Sequence, residues 1–85
     1  MYVMLGKDTV ISEKNIIGIF DLDITSQSHL TRGYLSNSEK KGSVINAAED
    51  IPRSFVVCTE NRREKVYLSQ MATSTLNKRI ENDII

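Results

Sequence analysis

Residues 53–79, RSFVVCTENRREKVYLSQMATSTLNKR, constrain the fold more than any other part of the chain. Phe55, Val56, Val57 and Thr59 make a β-branched and aromatic run, the composition of a strand over 53–59. The charged segment 60–64 belongs in water, so the chain turns there. Residues 65–69 then alternate, Val66 and Leu68 against Lys65, Tyr67 and Ser69, with the period of a strand that has one solvated face. Thr73 or Ser74 is placed to cap a helix that buries Leu76 and Ile80 and projects Lys78 and Arg79 into water. Such a strand–turn–strand–helix unit leaves apolar surface uncovered, and the upstream residues must cover it.

Upstream, residues 2–5 form a short apolar strand, Gly6-Lys7-Asp8 a turn, and residues 9–11 a second strand, giving a hairpin with a three-residue connection. Ser12 can cap one helical turn at the polar corner that follows. Residues 16–22, IIGIFDL, are the most hydrophobic run, and their length and β-branching predict a central strand. Gly18 within it marks a bulge or a close backbone approach. Thr25, Ser26 or Ser28 caps a helix over residues 27–41, whose apolar stripe (Leu30, Tyr34, Leu35) is thin and interrupted by Gly33. Lys40 and Lys41 suit the negative end of that helix, and Gly42 ends it. Residues 44–45 make a short strand, and a polar connection leads to Pro52, which has no N–H to give a ladder. The order is β-β-β-α-β-β-β-α: an α+β chain, a small sheet of short antiparallel or mixed strands with two helices.

Eighty-five residues predict a single domain over 1–85 with a limited core. The sequence contains no run approaching the ~20 apolar residues of a transmembrane helix and no signal-peptide pattern. The expectation is therefore a cytoplasmic protein with no membrane partner. Eleven basic residues balance eleven acidic ones, which argues against an indiscriminate polyanion binder. If nucleic acid is the partner, the cations must be sorted onto one surface.

Chemistry narrows the reading further. Cys58 is the only cysteine and lies in an apolar run, the setting of a small buried hydrophobe. With His29 as the only histidine, a zinc site lacks ligands, and nothing pairs His29 with Cys58 for catalysis. Asp21 and Asp23 share one face of a strand, a pattern that suits an ion pair or a divalent cation. The sequence offers no Gly-rich phosphate loop and no acid–base pair, so neither an enzyme, a cofactor nor a small-molecule substrate is expected. What remains is cationic: Lys14 at the polar corner, Arg53 just after Pro52, Arg62, Arg63 and Lys65 at the turn, Lys78 and Arg79 on the last helix. Phosphate recognition uses such donors on short loops and helix ends, and arginine also reads guanine edges. Glu60 and Glu64 flank the turn and lower its positive potential.

The segments MYVMLGKDTVIS, KNIIGIFDLD, PRSFVV and VYLSQMATSTLNKR, taken in order, resemble the bacterial extracellular-matrix regulator family (RemA/RemB). The Met-Tyr start, the Leu-Gly turn and the Ser-Thr-Leu-x-Lys-Arg ending lie closer to its RemB-like branch. The resemblance implies a cytoplasmic DNA-binding regulator, a fold similar to the LytTR-type DNA-binding domain, and assembly into ring-shaped homo-oligomers. Members of the RemA branch activate biofilm-matrix and osmoprotection genes by organising promoter DNA around the ring. Carried over by position, the family's basic residue at the start of the strand falls on Arg53. The arginines just upstream fall on Asp50 and Ile51, which are not basic. The basic position ahead of the hydrophobic strand falls on Asn15, with Lys14 adjacent.

Two functions compete on these residues. In the first, the protein is a DNA-binding transcriptional regulator of the biofilm-matrix type, acting as a ring-shaped homo-oligomer on double-stranded DNA. Arg53 is then the principal contact, with Lys14, Asn15, Arg62 and Arg63 around it. In the second, motivated by Glu49 and Asp50, it is an oligomeric assembly or adaptor protein that does not bind DNA. Both need self-association, and the apolar strand Tyr2-Val3-Met4 is surface in want of a partner.

Overall fold

The structure, a computed structural model, describes residues 2–6, 8–22 and 28–83. The elements are β1 (Tyr2–Met4), β2 (Val10–Ser12), a 3-10 turn (Glu13–Asn15), β3 (Ile16–Asp21), α1 (His29–Lys40), β4 (Val44–Asn46), β5 (Ser54–Glu60), β6 (Arg63–Ser69) and α2 (Thr73–Asp83). Their order is the β-β-β-α-β-β-β-α expected, in an α+β fold with a mixed sheet. Strands β5 and β6 pair in continuous antiparallel register from Ser54↔Ser69 to Glu60↔Arg63. The connection is tighter than the charged segment 60–64 suggests. Only Asn61 and Arg62 lie outside the ladder, with φ of 51° and 67°. Two consecutive left-handed residues are what a two-residue hairpin turn requires to match strand twist. An arginine there bears a steric cost that glycine would avoid.

The four-stranded sheet has the order β3-β5-β6-β4. Strand β3 runs antiparallel to β5, whereas β4 runs parallel to β6. Helix α1 carries the chain from one edge of the sheet to the other, which is why β4 returns in the direction of β3. Among the described residues, the most hydrophobic run is therefore an edge strand, not a central one. The two-residue turn locks β6 against β5, so β3 pairs with β5 on its remaining side only. Its hydrophobicity serves two faces instead, and Ile17 and Phe20 stay exposed. The register shifts between Ile16 and Gly18, the bulge that Gly18 predicts. A side chain at Gly18 would meet the Phe20 ring at 2.8 Å.

Both faces of the sheet are covered. On one, Val3, Leu5 and Ile11 from the β1–β2 hairpin and Leu76 from α2 pack with Val56, Cys58 and Tyr67. On the other, Phe55, Val57 and Val66 pack with Tyr34 and Leu35 of α1. The alternation in β6 thus misleads: Tyr67 and Ser69 are buried rather than solvated, because the N-terminal hairpin closes over them. Buried Ser69 ties the layers together, donating to the Leu5 carbonyl (2.6 Å) and accepting the Met71 N–H (3.1 Å).

The helix ends follow partly from local sequence. Gly42, with φ of 71°, closes α1 as its N–H donates to the Glu39 carbonyl and the Ser43 N–H to the Ser38 carbonyl. That pattern is the Schellman motif, and it satisfies carbonyls that the helix leaves open. At the other end Ser28 occupies the N-cap position without a side-chain bond. Thr25 and Ser26, the other expected caps, lie outside the described residues, as do Asp23, Gln27 and Lys7. For α2 the cap expected of Thr73 or Ser74 is displaced by one residue or two. Ala72 supplies the first carbonyl, to Thr75 and Leu76, and Thr73 is already helical.

Candidate nucleic-acid interface

The β5 ladder fixes where each candidate contact lies. Arg53 immediately precedes β5 and is held by the main chain on both sides. Its N–H donates to the Ser69 carbonyl (2.8 Å), and its own carbonyl accepts the Leu22 N–H (3.0 Å). The side chain is exposed and forms no ion pair or hydrogen bond with the described residues. With the backbone already fixed, an anion binding there would have only the side chain left to order.

Lys14 and Asn15 close the 3-10 turn before β3, with Lys14 exposed and Asn15 half-buried. Because Ile16 pairs with Cys58 and Asp21 with Ser54, the start of β3 lies at the far end of β5. Arg62 and Arg63 are at that same end, in and beside the hairpin turn, and both are exposed. The structure thus brings Lys14, Asn15, Arg62 and Arg63 to one end of the sheet and leaves Arg53 at the other. Seven strand residues separate the two ends, roughly 20 Å at about 3.3 Å per residue.

The hairpin end carries further cations. A polar cavity of about 500 Å³ opens between the end of α1 and β6, lined by Lys41, Arg63, Lys65, Glu64 and Tyr34 among others. Lys41 joins the group only because β4 pairs in parallel with β6, so sequence distance hides it. Glu60 weakens this end less than its position suggests: its carboxylate accepts from Lys65 (3.3 Å) and from the Tyr67 hydroxyl (3.4 Å). Burial, with Glu64 beside it, pushes the Tyr34 hydroxyl above its ordinary pKa. Arg79, expected in water, is half-buried and donates to the Met4 carbonyl at 3.0 Å, clasping α2 to β1.

The loop before Arg53 is held by side chains that the sequence does not advertise. Gln70 accepts from the N–H groups of Glu49 (2.8 Å) and Asp50 (3.0 Å) through one amide oxygen. Asn46 accepts from the Ala48 N–H and Asp50 from the Ile51 N–H. This ordered loop presents two acids, Glu49 and Asp50, and an almost fully exposed Ile51 next to Arg53. A polar side chain following a strand gives no local sign of such bonds.

The remaining reactive groups have structural settings. Cys58 is fully buried, and burial, with some help from Glu60, pushes its thiol up to about 11. A thiol with a raised folded-state value stays protonated at neutral pH. Its contribution to stability is complete below about pH 9 and is lost as pH rises toward 11. His29 is exposed at the start of α1. Among the described residues no group of three or more His, Cys, Asp or Glu could hold a metal ion. Among them too, no helix is long and apolar enough to cross a membrane.

Exposed cations thus stand at the two ends of the sheet, Arg53 beside Glu49 and Asp50 at one, and Lys14, Arg62 and Arg63 at the other. The sequence matches the RemA-like family, described as extracellular matrix regulatory protein A-like, over residues 2–80. It is also 35% identical over 81 residues to extracellular matrix regulatory protein B of Bacillus subtilis (strain 168), covering 95% of this chain and 91% of that protein. A family match across nearly the whole chain and a collinear relative agree on a regulatory family rather than an enzymatic one. The chain belongs to the RemA-like family of extracellular matrix regulatory proteins.

Proposed function

We infer that this protein regulates extracellular-matrix genes by binding double-stranded DNA as a ring-shaped homo-oligomer in the cytoplasm. The observation that carries the reading is Arg53, an exposed guanidinium, unpaired among the described residues, on a backbone pinned to β6 and to Leu22. Arg53 contacts a phosphate or a guanine edge. Lys14 is a second phosphate contact, Asn15 assists it, and Arg62 and Arg63 are weaker contacts at the same end. The ~20 Å between the two ends corresponds to about six base-pair steps at 3.4 Å each, so one subunit touches well-separated phosphates.

Self-association supplies what a chain of zero formal net charge lacks. Repeating a weak basic patch around an assembly makes binding multivalent, so modest contacts sum. Arg53→Ala is expected to weaken binding of duplex DNA at least tenfold. It should also flatten the salt dependence by about 0.9 in log–log slope for each phosphate that is no longer neutralised. Equal affinity and slope for variant and wild type in a salt titration would remove Arg53 from the interface.

The loop that carries Arg53 also favours a second reading. Glu49 and Asp50 are exposed beside it, and carboxylates repel a phosphate backbone. In that reading the assembly serves as an adaptor and leaves DNA alone. A mobility shift with any duplex at low salt excludes it.

A further inference from the structure

The loop over residues 49–53 is tied down at every main-chain donor. The N–H groups of Glu49 and Asp50 donate to the Gln70 side-chain oxygen (2.8 and 3.0 Å), and that of Ile51 to the Asp50 carboxylate (2.8 Å). The Arg53 N–H donates to the Ser69 carbonyl (2.8 Å), and Pro52 has none to give. No main-chain N–H is therefore left to cradle a phosphate, and the exposed carboxylates of Glu49 and Asp50 repel one. What this loop offers a partner is side chains, held still.

Asp50, Ile51, Pro52, Arg53 and Gln70 line one open cleft of about 430 Å³. Ile51 is its apolar wall and is 78% exposed, more than any other large apolar side chain among the described residues. A lone exposed isoleucine is ordinary on a protein surface. This one shares its cleft with two sets of unused donors. Because the Gln70 oxygen serves two N–H groups, its amide nitrogen is left as a donor, with no partner among the described residues. The Arg53 guanidinium is likewise unpaired among them. The cleft thus sets hydrogen-bond donors beside an apolar wall.

Thymine presents the matching pattern in the major groove: O4 accepts, and the C5 methyl next to it is apolar. Resting on the duplex-DNA reading above, we propose that this cleft reads a thymine from the major groove. Ile51 packs on the methyl while Gln70 or Arg53 donates to O4. The other edges fit less well. Guanine has two acceptors but no apolar group, and would leave Ile51 in water. Cytosine and adenine turn amino donors toward the donors of Gln70 and Arg53. The minor groove shows no methyl, and its negative potential disfavours a loop with two carboxylates. Isoleucine, stiff at its first torsion, also has little rotamer freedom to lose on contact.

The test removes one partner at a time. Wild type and Ile51→Ser are titrated against a labelled duplex that the wild type enriches from a random pool. The duplex is made once with thymine and once with uracil throughout, a change that deletes only the C5 methyl. Ile51 is exposed, so folding is expected to survive, and Ile51→Ala replaces the serine variant if a melting curve shows otherwise. The wild type should bind the uracil duplex at least about fourfold more weakly, the effect of one methyl group that is no longer buried. Ile51→Ser should bind the two duplexes alike, and the uracil duplex about as well as the wild type does. Equal wild-type affinity for both duplexes, or an undiminished thymine preference in Ile51→Ser, would overturn the thymine contact and leave DNA binding standing. A wild type that enriches and binds no duplex at low salt would remove the DNA reading, and this one with it.

Discussion

Gly6→Ala is expected to destabilise the protein by about 3 kcal/mol or more. A Cβ at residue 6 would run into the Ala47 carbonyl, closer than any real contact allows. The obstacle is main chain, and it cannot swing aside. Ala47 is buried and its N–H is bonded to the Leu68 carbonyl at 2.9 Å, so moving it breaks the junction between β4 and β6. The alternative is to lift the hairpin, which uncovers Val3, Leu5 and Ile11. A chain of this length has a total stability of about 4–13 kcal/mol, so such a loss shows at once in a urea midpoint. An unchanged midpoint would mean that the hairpin does not lie against the loop after β4.

Ser69→Ala should cost roughly 2–4 kcal/mol, an unusually large effect for the loss of one hydroxyl. Two groups lose their partner together: the Leu5 carbonyl its donor and the Met71 N–H its acceptor, at a site with no exposure to water. Each buried polar group left unpaired costs about 1–3 kcal/mol. Ser54 is the natural control. It sits opposite Ser69 in the ladder, is equally buried, and its hydroxyl donates only to the Met71 carbonyl at 2.8 Å. Ser54→Ala should therefore cost about half as much. Equal losses for the two variants, measured by denaturant unfolding, would deny Ser69 its role as the tie between hairpin and sheet.

The contrast between these two serines shows which parts of the fold are legible locally. Runs of β-branched residues, the glycine at the β3 bulge and the Lys-Lys-Gly ending of α1 are short-range signals, and each element they announce is present. What cannot be read is which distant segment covers which face. The alternation of β6 promises one solvated side, yet Leu5, 64 residues away, puts its carbonyl on Ser69. The same blindness misplaces β3, whose apolar content implies a strand with neighbours on both sides. Among the described residues it has one, because the Asn61-Arg62 turn seats β6 on the other side of β5.

The candidate site divides in the same way. Arg53 is recognisable as a donor on a short stiff segment, since Pro52 and the following strand announce the backbone. Its distance from Lys14 is not, because that depends on the antiparallel register of β3 with β5. Lys41 is legible only as a helix-end cation and Gln70 not at all: one joins the hairpin end through parallel pairing, the other holds the loop before Arg53 through bonds to two backbone amides. Local composition assigns charge to a loop, and only long-range pairing decides which charges act together.

The most direct measurement is the binding of a labelled promoter duplex to the wild-type protein across a salt series. One subunit's four proposed contacts, Arg53, Lys14, Arg62 and Arg63, together give a log–log slope of about −3.6 at about 0.9 per phosphate, and Lys41 and Lys65 at the hairpin end extend it to about −5.4 at most. An assembly that repeats them should give a slope steeper than about −6, with affinity collapsing between low and physiological salt. No detectable binding at low salt, or a slope that one subunit can account for, would contradict the account.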